Sequence, residues 1–211
     1  MVETDTNFTG RENLLRLGKQ IVVFIGPEGS GKSTIARKLA ANSRKPYITI
    51  GGILRALSTG NQTEFGNESR KMLKEHRYLK PEMLFPILLK RFKEDDTKDG
   101  FILDGGFRLV EDVRNFPLVL QKAERIMPLT VIHLRIPGWL SIERLNVRKR
   151  EDDTSDGILG RLTNYYKNLG QRATLIQQQE NCNLIHIDAT GDIDKTFNKV
   201  RGALMGKSKN G

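Results

Sequence analysis

Short apolar runs alternate with segments of helical period along most of the chain. Ile21–Gly26 (IVVFIG) is an apolar, largely β-branched run closed by glycine, which predicts a buried strand. Tyr47–Ile50, Phe101–Asp104, Val131–Ile136 and Leu184–Ile187 predict four more. Between them, apolar residues recur at three- and four-residue spacing. Ile35, Ala36, Leu39 and Ala40 mark a helix over Ser33–Ala41. Further helical patterns cover roughly 51–59, 64–75, 81–94, 109–125, 138–150, 155–180 and 192–204. Pro86 lies inside the 81–94 pattern and predicts a bend there. Strands alternating with helices place the chain in the α/β class, with a mostly parallel five-stranded sheet covered on both faces.

Two stretches stand outside the alternation. Residues 51–84 put helices between one strand and the next strand–helix unit, and residues 148–157 (RKREDDTSDG) are charged and loop-like. Both read as insertions over one edge of a single domain at 20–204. Residues 1–19 form an N-terminal extension and residues 205–211 a basic tail.

The 211 residues suit one or two domains at about 150 residues each. An apolar share of 37% supports a packed core and excludes global disorder. No apolar run approaches the roughly 18 residues of a membrane span. Cys182 is the single cysteine, which excludes an internal disulfide framework and a cysteine zinc cluster. The first residues carry early acids and no basic-then-apolar leader pattern, so a reducing, cytoplasmic setting is expected. The net charge of +10 suits a polyanion: nucleic acid, an anionic surface or a phosphate-rich small molecule. It is also compatible with a solubility setting and no partner. Composition does not choose among these, so the placement of charge must.

Gly26-Pro27-Glu28-Gly29-Ser30-Gly31-Lys32-Ser33 fits GxxxxGK[ST], the phosphate-binding loop. It follows a predicted strand and opens a predicted helix, as that motif requires. Glycines let the backbone turn its N–H groups inward toward phosphate oxygens, and the helix N-terminus adds positive potential. Lys32 offers an ammonium to the β- and γ-phosphates, and Ser33 a hydroxyl to Mg²⁺ or a phosphate. The ATP-binding candidates are therefore Gly26, Glu28, Gly29, Ser30, Gly31, Lys32, Ser33 and Thr34. The alternative, a structural glycine-rich turn, does not account for the strand–helix context.

Asp104 closes a predicted strand at the edge where open α/β sheets bind ligands. A carboxylate there can hold a water of Mg²⁺. On its own it would read as a helix cap or surface acid; beside a phosphate loop the metal role leads. Arg144, Arg148, Arg150 and Arg161 form a third constellation. Clustered guanidiniums repel one another unless an anion sits among them, and their fork geometry suits a phosphoryl group in transfer. The competing reading is a solvated basic face paired with Glu143, Glu151, Asp152 and Asp153.

Together these blocks resemble the adenylate kinase family of nucleoside monophosphate kinases, from about Ile21 to Leu204. The family's "TGD-x-LR" element is matched by Thr49-Ile50-Gly51-Gly52-Ile53-Leu54-Arg55, and its "G-x-L-V" edge by His76-Arg77-Tyr78-Leu79. "GF-x-LDGFPR" is matched by Gly100-Phe101-Ile102-Leu103-Asp104-Gly105-Gly106-Phe107-Arg108. Arg144 and Arg148 match its "R-x-x-x-R" helix. Arg150, Asp152, Asp153 and Arg161 match "R-x-D-D" and the arginine 11 residues after its first. Asp188-Ala189-Thr190-Gly191 matches its closing "D-x-T" turn.

The resemblance implies a P-loop NTPase fold: a three-layer α/β/α core, a small helical insertion for the monophosphate, and a short lid at about 148–157. It implies reversible γ-phosphoryl transfer from MgATP to a nucleoside monophosphate, AMP foremost, by a monomer. Lys32, Arg108, Arg144, Arg150 and Arg161 are the implied catalytic residues. Arg144, Arg148 and Gly191 join the ATP site, and Ser33 and Asp104 the metal site. Ile50, Arg55, Leu79, Gly105, Arg108 and Asp112 are the implied monophosphate site. The acceptor phosphate is itself the nucleophile, so the protein aligns it, neutralises charge and excludes water.

The chain departs from the pattern in places. Ile50 replaces a threonine and Gly52 an aspartate; Gly-Gly-Phe-Arg lacks the proline of "GFPR"; Asp112 replaces a glutamine that reads adenine. An ionised Asp112 accepts but does not donate, which favours the amino groups of AMP or CMP over UMP. The alternative makes Asp112 an exposed first-turn helix acid. With only Lys149 between Arg148 and Arg150, the lid is short enough to predict leakage to ATP hydrolysis. Two other functions stand beside the kinase: transfer to another small metabolite, and nucleotide or RNA binding with a degraded acceptor site. Cys182, Trp139, Tyr165 and Tyr166 read as packing or surface residues. His76, His133 and His186 lack metal-ligand spacing.

Overall fold

The computed structural model describes residues 14–59, 64–74, 78–148 and 155–206. The elements in chain order are β1 (Ile21–Ile25), α1 (Lys32–Ser43), β2 (Tyr47–Thr49), α2 (Ile50–Thr59), α3 (Glu64–Lys74), α4 (Pro81–Phe92) and β3 (Ile102–Asp104). They continue with α5 (Val110–Lys122), β4 (Leu129–Arg135), α6 (Gly138–Arg148), α7 (Ser155–Tyr166), α8 (Leu169–Gln178), β5 (Cys182–Asp188) and α9 (Ile193–Met205).

All five strands are parallel, in the order β2-β3-β1-β4-β5. Alternation along the strands feeds two cores. Ile21, Val23, Ile25, Leu103 and Val131 face α4, α5 and α8, meeting Leu84, Leu88, Phe92, Phe116 and Ile176. Val22, Phe24, Ile102, Ile132 and Leu134 face α1 and α9, meeting Ile35, Leu39, Phe197 and Val200. Phe92 stacks on Phe101 at 4.5 Å, and Phe107 meets Phe116 edge-on at 4.9 Å. Such ring pairs add about 0.5–1.5 kcal/mol each beyond burial.

β1 sits at the centre, with β3 on one side and β4 on the other. The chain leaves β1 in one direction and later returns to pair on the opposite side. That reversal opens a crevice at the C-terminal strand ends, where α/β folds hold ligands. The registers bring Phe24 level with Asp104, and Ile25 level with His133.

The helix expected over 155–180 is two helices. α7 turns Ile158 and Leu162 onto Leu145 of α6 in a small separate cluster, whereas α8 sends Ile176 into the main core. One straight rod cannot bury both faces, and the chain turns at Lys167–Asn168, where Asn168 leaves the helical region. α4 runs on through Pro86 and α5 through Pro117; both prolines are exposed, so each missing N–H falls on a solvent-facing side. Most of the expected lid, residues 149–154, lies outside the described residues.

Candidate active site

The loop from Gly26 to Gly31 joins β1 to α1 with almost no lateral room. A Cβ on Gly26 would lie 2.7 Å from the Leu134 carbonyl oxygen, and one on Gly29 2.9 Å from that of Ser141. Gly29 and Gly31 also take φ 81° and 82°, the left-handed region that glycine enters without penalty. Lys32 Nζ donates to the Pro27 carbonyl at 3.2 Å, across the loop's mouth. Ser30 Oγ is buried with no hydrogen-bond partner among the described residues. Ser33 and Thr34 open α1, Thr34 exposed.

One cleft gathers Glu28 and Lys32 from the loop, Gly105 and Arg108 from beyond β3, and Tyr78 and Tyr165 from two other segments. Arg108 Nε donates to the Gly105 carbonyl at 3.0 Å, and its guanidinium lies 5.1 Å from the centre of the Tyr78 ring. Gly105 takes φ 83°, and a Cβ there would stand 3.1 Å from Arg108 Nη2. Asp104, level with Phe24, is buried. Its Oδ2 accepts from the Tyr47 hydroxyl at 2.7 Å, while Oδ1 has no hydrogen-bond partner among the described residues. An orphaned buried carboxylate oxygen beside a phosphate loop fits a cation's hydration shell, so Asp104 with Ser33 suits Mg²⁺.

The arginines do not form one free cluster. Arg161 is buried, and its Nε pairs with Glu28 Oε2 at 2.8 Å. It thus reaches the phosphate loop itself, a partner the solvated-face reading did not include; the acids at 151–153 that it did include lie outside the described residues. Arg144 is held by backbone. Its Nη atoms donate to the carbonyls of Gly29 (3.3 Å), Ala189 (3.1 Å), Thr190 (3.0 Å) and Gly191 (3.1 Å). It ties the phosphate loop to the 189–191 turn. Arg148 ends α6, and Arg150 lies outside the described residues. Arg55 is exposed on α2, its guanidinium beside Gly51.

Three expectations change. Ile50 and Leu79 bury their side chains in the core, so they have only backbone to offer a ligand. Asp112 is not an exposed helix acid. It is buried at the third position of α5, and its Oδ2 accepts from the backbone amides of Arg108 (3.0 Å) and Leu109 (2.9 Å). This is the carboxylate half of a capping box. Burial raises its pKa above the usual carboxylate range, with those two bonds opposing. Its Oδ1 has no hydrogen-bond partner among the described residues. Tyr165, read as packing, lines the cleft as well as being buried. His133 Nε2 lies 2.8 Å from the Tyr165 hydroxyl, and the two Nδ1 atoms of His133 and His186 are 3.1 Å apart. Burial first, then the neighbouring His186, holds the His133 imidazole down to about 4. Tyr165 follows Arg161 by one helical turn, a spacing that could have placed it at the site from sequence.

Residues 24–184 match the model of the Adenylate kinase family. An adenylate kinase from Mycolicibacterium vanbaalenii is 32% identical over 183 residues, spanning 87% of this chain and 98% of that protein. One from Mycobacterium sp. (strain MCS) is 34% identical over 184 residues, with the same coverage. One from Methanosarcina barkeri is 28% identical over 214 residues, spanning 87% and 97%.

Proposed function

Since the chain belongs to the adenylate kinase family, we propose that it transfers the γ-phosphoryl group of MgATP reversibly to a nucleoside monophosphate, with AMP as the leading acceptor. The observation that carries this reading is the meeting of Lys32 and Arg108 in one cleft. Lys32 stands on the donor loop; Arg108 leaves the strand end on the acceptor side. An ammonium and a guanidinium lining one cleft suit the γ-phosphate of a donor facing the single phosphate of an acceptor.

The chemistry needs no protein nucleophile. Backbone amides of the Gly26–Gly31 loop and the α1 N-terminus bind the donor phosphates. Arg108, with Arg55, holds the acceptor phosphate in line. Arg161 exchanges Glu28 for phosphoryl oxygens as charge develops. Arg144 keeps the 189–191 backbone in place for the donor base. Ser33 and Asp104 are the residues that would hold magnesium bound with ATP, which would supply neutralisation of the phosphate charge. Asp112 Oδ1 is buried and outside the cleft lining, so it reads the amino group of adenine or cytosine only if the turn at 107–109 opens on binding. A cytoplasmic monomer is the setting that fits; the half-buried Cys182 is unpaired, and no helix among the described residues is long and apolar enough to cross a membrane.

The test is coupled detection of ADP from ATP with AMP, CMP, GMP or UMP in turn. ADP formation is expected with AMP or CMP ahead of UMP. No transfer to any monophosphate overturns the reading, and a preference for UMP overturns the part given to Asp112.

A further inference from the structure

Phe107 stands where the family pattern has proline, and it takes φ 56°. A bulky side chain in the left-handed region is an outlier that the surroundings must hold in place. The ring is fully buried against Phe116, so packing anchors the side chain. Proline is locked at φ near −65° and could not take this turn; in this chain another device must hold the φ of 56°.

The peptide between Phe107 and Arg108 is gripped at both ends. Its carbonyl oxygen accepts from Arg172 Nη1 at 2.6 Å, and its N–H donates to Asp112 Oδ2 at 3.0 Å. Arg172 comes from α8, more than sixty residues away in the chain. It is only 2% exposed. Its second Nη donates to the Tyr165 carbonyl at the end of α7, and its guanidinium lies 5.1 Å from the centre of the Tyr165 ring. A buried guanidinium spent on backbone carbonyls is costly to solvate otherwise, which argues for a specific task.

We infer that Arg172 is a positioning residue for the acceptor site. It fixes the left-handed turn at Phe107, a conformation closed to proline, and thereby sets the direction in which Arg108 leaves the backbone. The inference rests on the reading of Arg108 as the acceptor-phosphate grip. Arg172 is not itself placed against nucleotide. α7 keeps other anchors, Arg161 on Glu28 and Tyr165 on His133, so losing Arg172 loosens the 107–108 peptide first.

The test compares Arg172→Met and Arg172→Lys with the unmodified chain, at a temperature where circular dichroism shows all three folded. In Arg172→Met the acceptor KM is expected to rise at least tenfold while the ATP dissociation constant stays within twofold. Arg172→Lys keeps one donor and is expected to fall between. An unchanged acceptor KM, or equal weakening of both nucleotides, overturns the inference. Should Arg172→Met not fold, Arg172→Lys carries the same split, and its absence is equally decisive. Amide hydrogen exchange at Arg108 gives a readout free of activity. Arg172→Met is expected to speed it at least tenfold with the α1 amides unchanged; no change there overturns the inference. Absence of transfer in the unmodified chain would instead strike the kinase reading and leave the exchange result to judge Arg172.

Discussion

Glu28→Gln separates the structural from the catalytic meaning of the Arg161 ion pair. The Arg161 side chain is 7% exposed and that of Glu28 32%, with 2.8 Å between Nε and Oε2. Removing one partner of a fully buried pair costs about 3–5 kcal/mol. Solvent reaches a third of Glu28 and screens the loss, so Glu28→Gln should cost about 2–3 kcal/mol. For a domain of this size each kcal/mol moves Tm by about 2–4 °C, which gives a fall of roughly 4–12 °C without nucleotide. Triphosphate then replaces the missing carboxylate beside Arg161. If it recovers about half of the loss, near 1.4 kcal/mol, ATP binds about tenfold tighter to the variant by linkage. Thermal unfolding with and without MgATP, and calorimetric binding of ATP, measure both sides. An identical nucleotide-induced rise in Tm in variant and parent would refute the claim that Glu28 and phosphate compete for Arg161.

Other outcomes are equally specific. Gly26→Ala forces a Cβ to within 2.7 Å of the Leu134 carbonyl oxygen, and should abolish ATP binding in calorimetry, because backbone rather than a flexible side chain would have to move. Asp104→Asn keeps an acceptor for the Tyr47 hydroxyl but loses the anionic oxygen; Mg²⁺-dependent turnover should drop about a hundredfold or more, a loss of about 3 kcal/mol or more in transition-state stabilisation, with Tm little changed. His133, held down to about 4 against an ordinary 6.5, is neutral when folded and protonates more readily unfolded. Its contribution is intact above pH 6.5 and is lost as pH falls toward 4, by about 3 kcal/mol in all. His133→Gln, which can still bond Tyr165, should flatten Tm between pH 6.5 and 4.5; an unaltered slope there would assign the acid sensitivity elsewhere.

Local properties of the chain were legible without coordinates. Strand-length apolar runs, helix-period spacing and the Gly26–Ser33 signature are written within a few residues of one another, so they pointed to five parallel strands and a loop-to-helix turn at the right positions. Asp104 at a strand end was legible for the same reason. The break at Lys167–Asn168 was not, because both halves of 155–180 carry helical spacing and only their two separate packing partners force a turn. Nor was the burial of Asp112, whose partners are the amides of Arg108 and Leu109 in a turn that the missing proline had left undefined.

Sequence alone therefore determined the class of fold, the phosphate loop and the stock of arginines. Tertiary structure decided what each arginine holds: Arg161 a carboxylate of the phosphate loop, Arg144 four backbone carbonyls, Arg172 the peptide beside Arg108. The physical reason is range. A guanidinium reaches several ångströms from its own backbone and takes whichever acceptors the packed helices bring to it, and those acceptors lie tens to more than a hundred residues away along the chain.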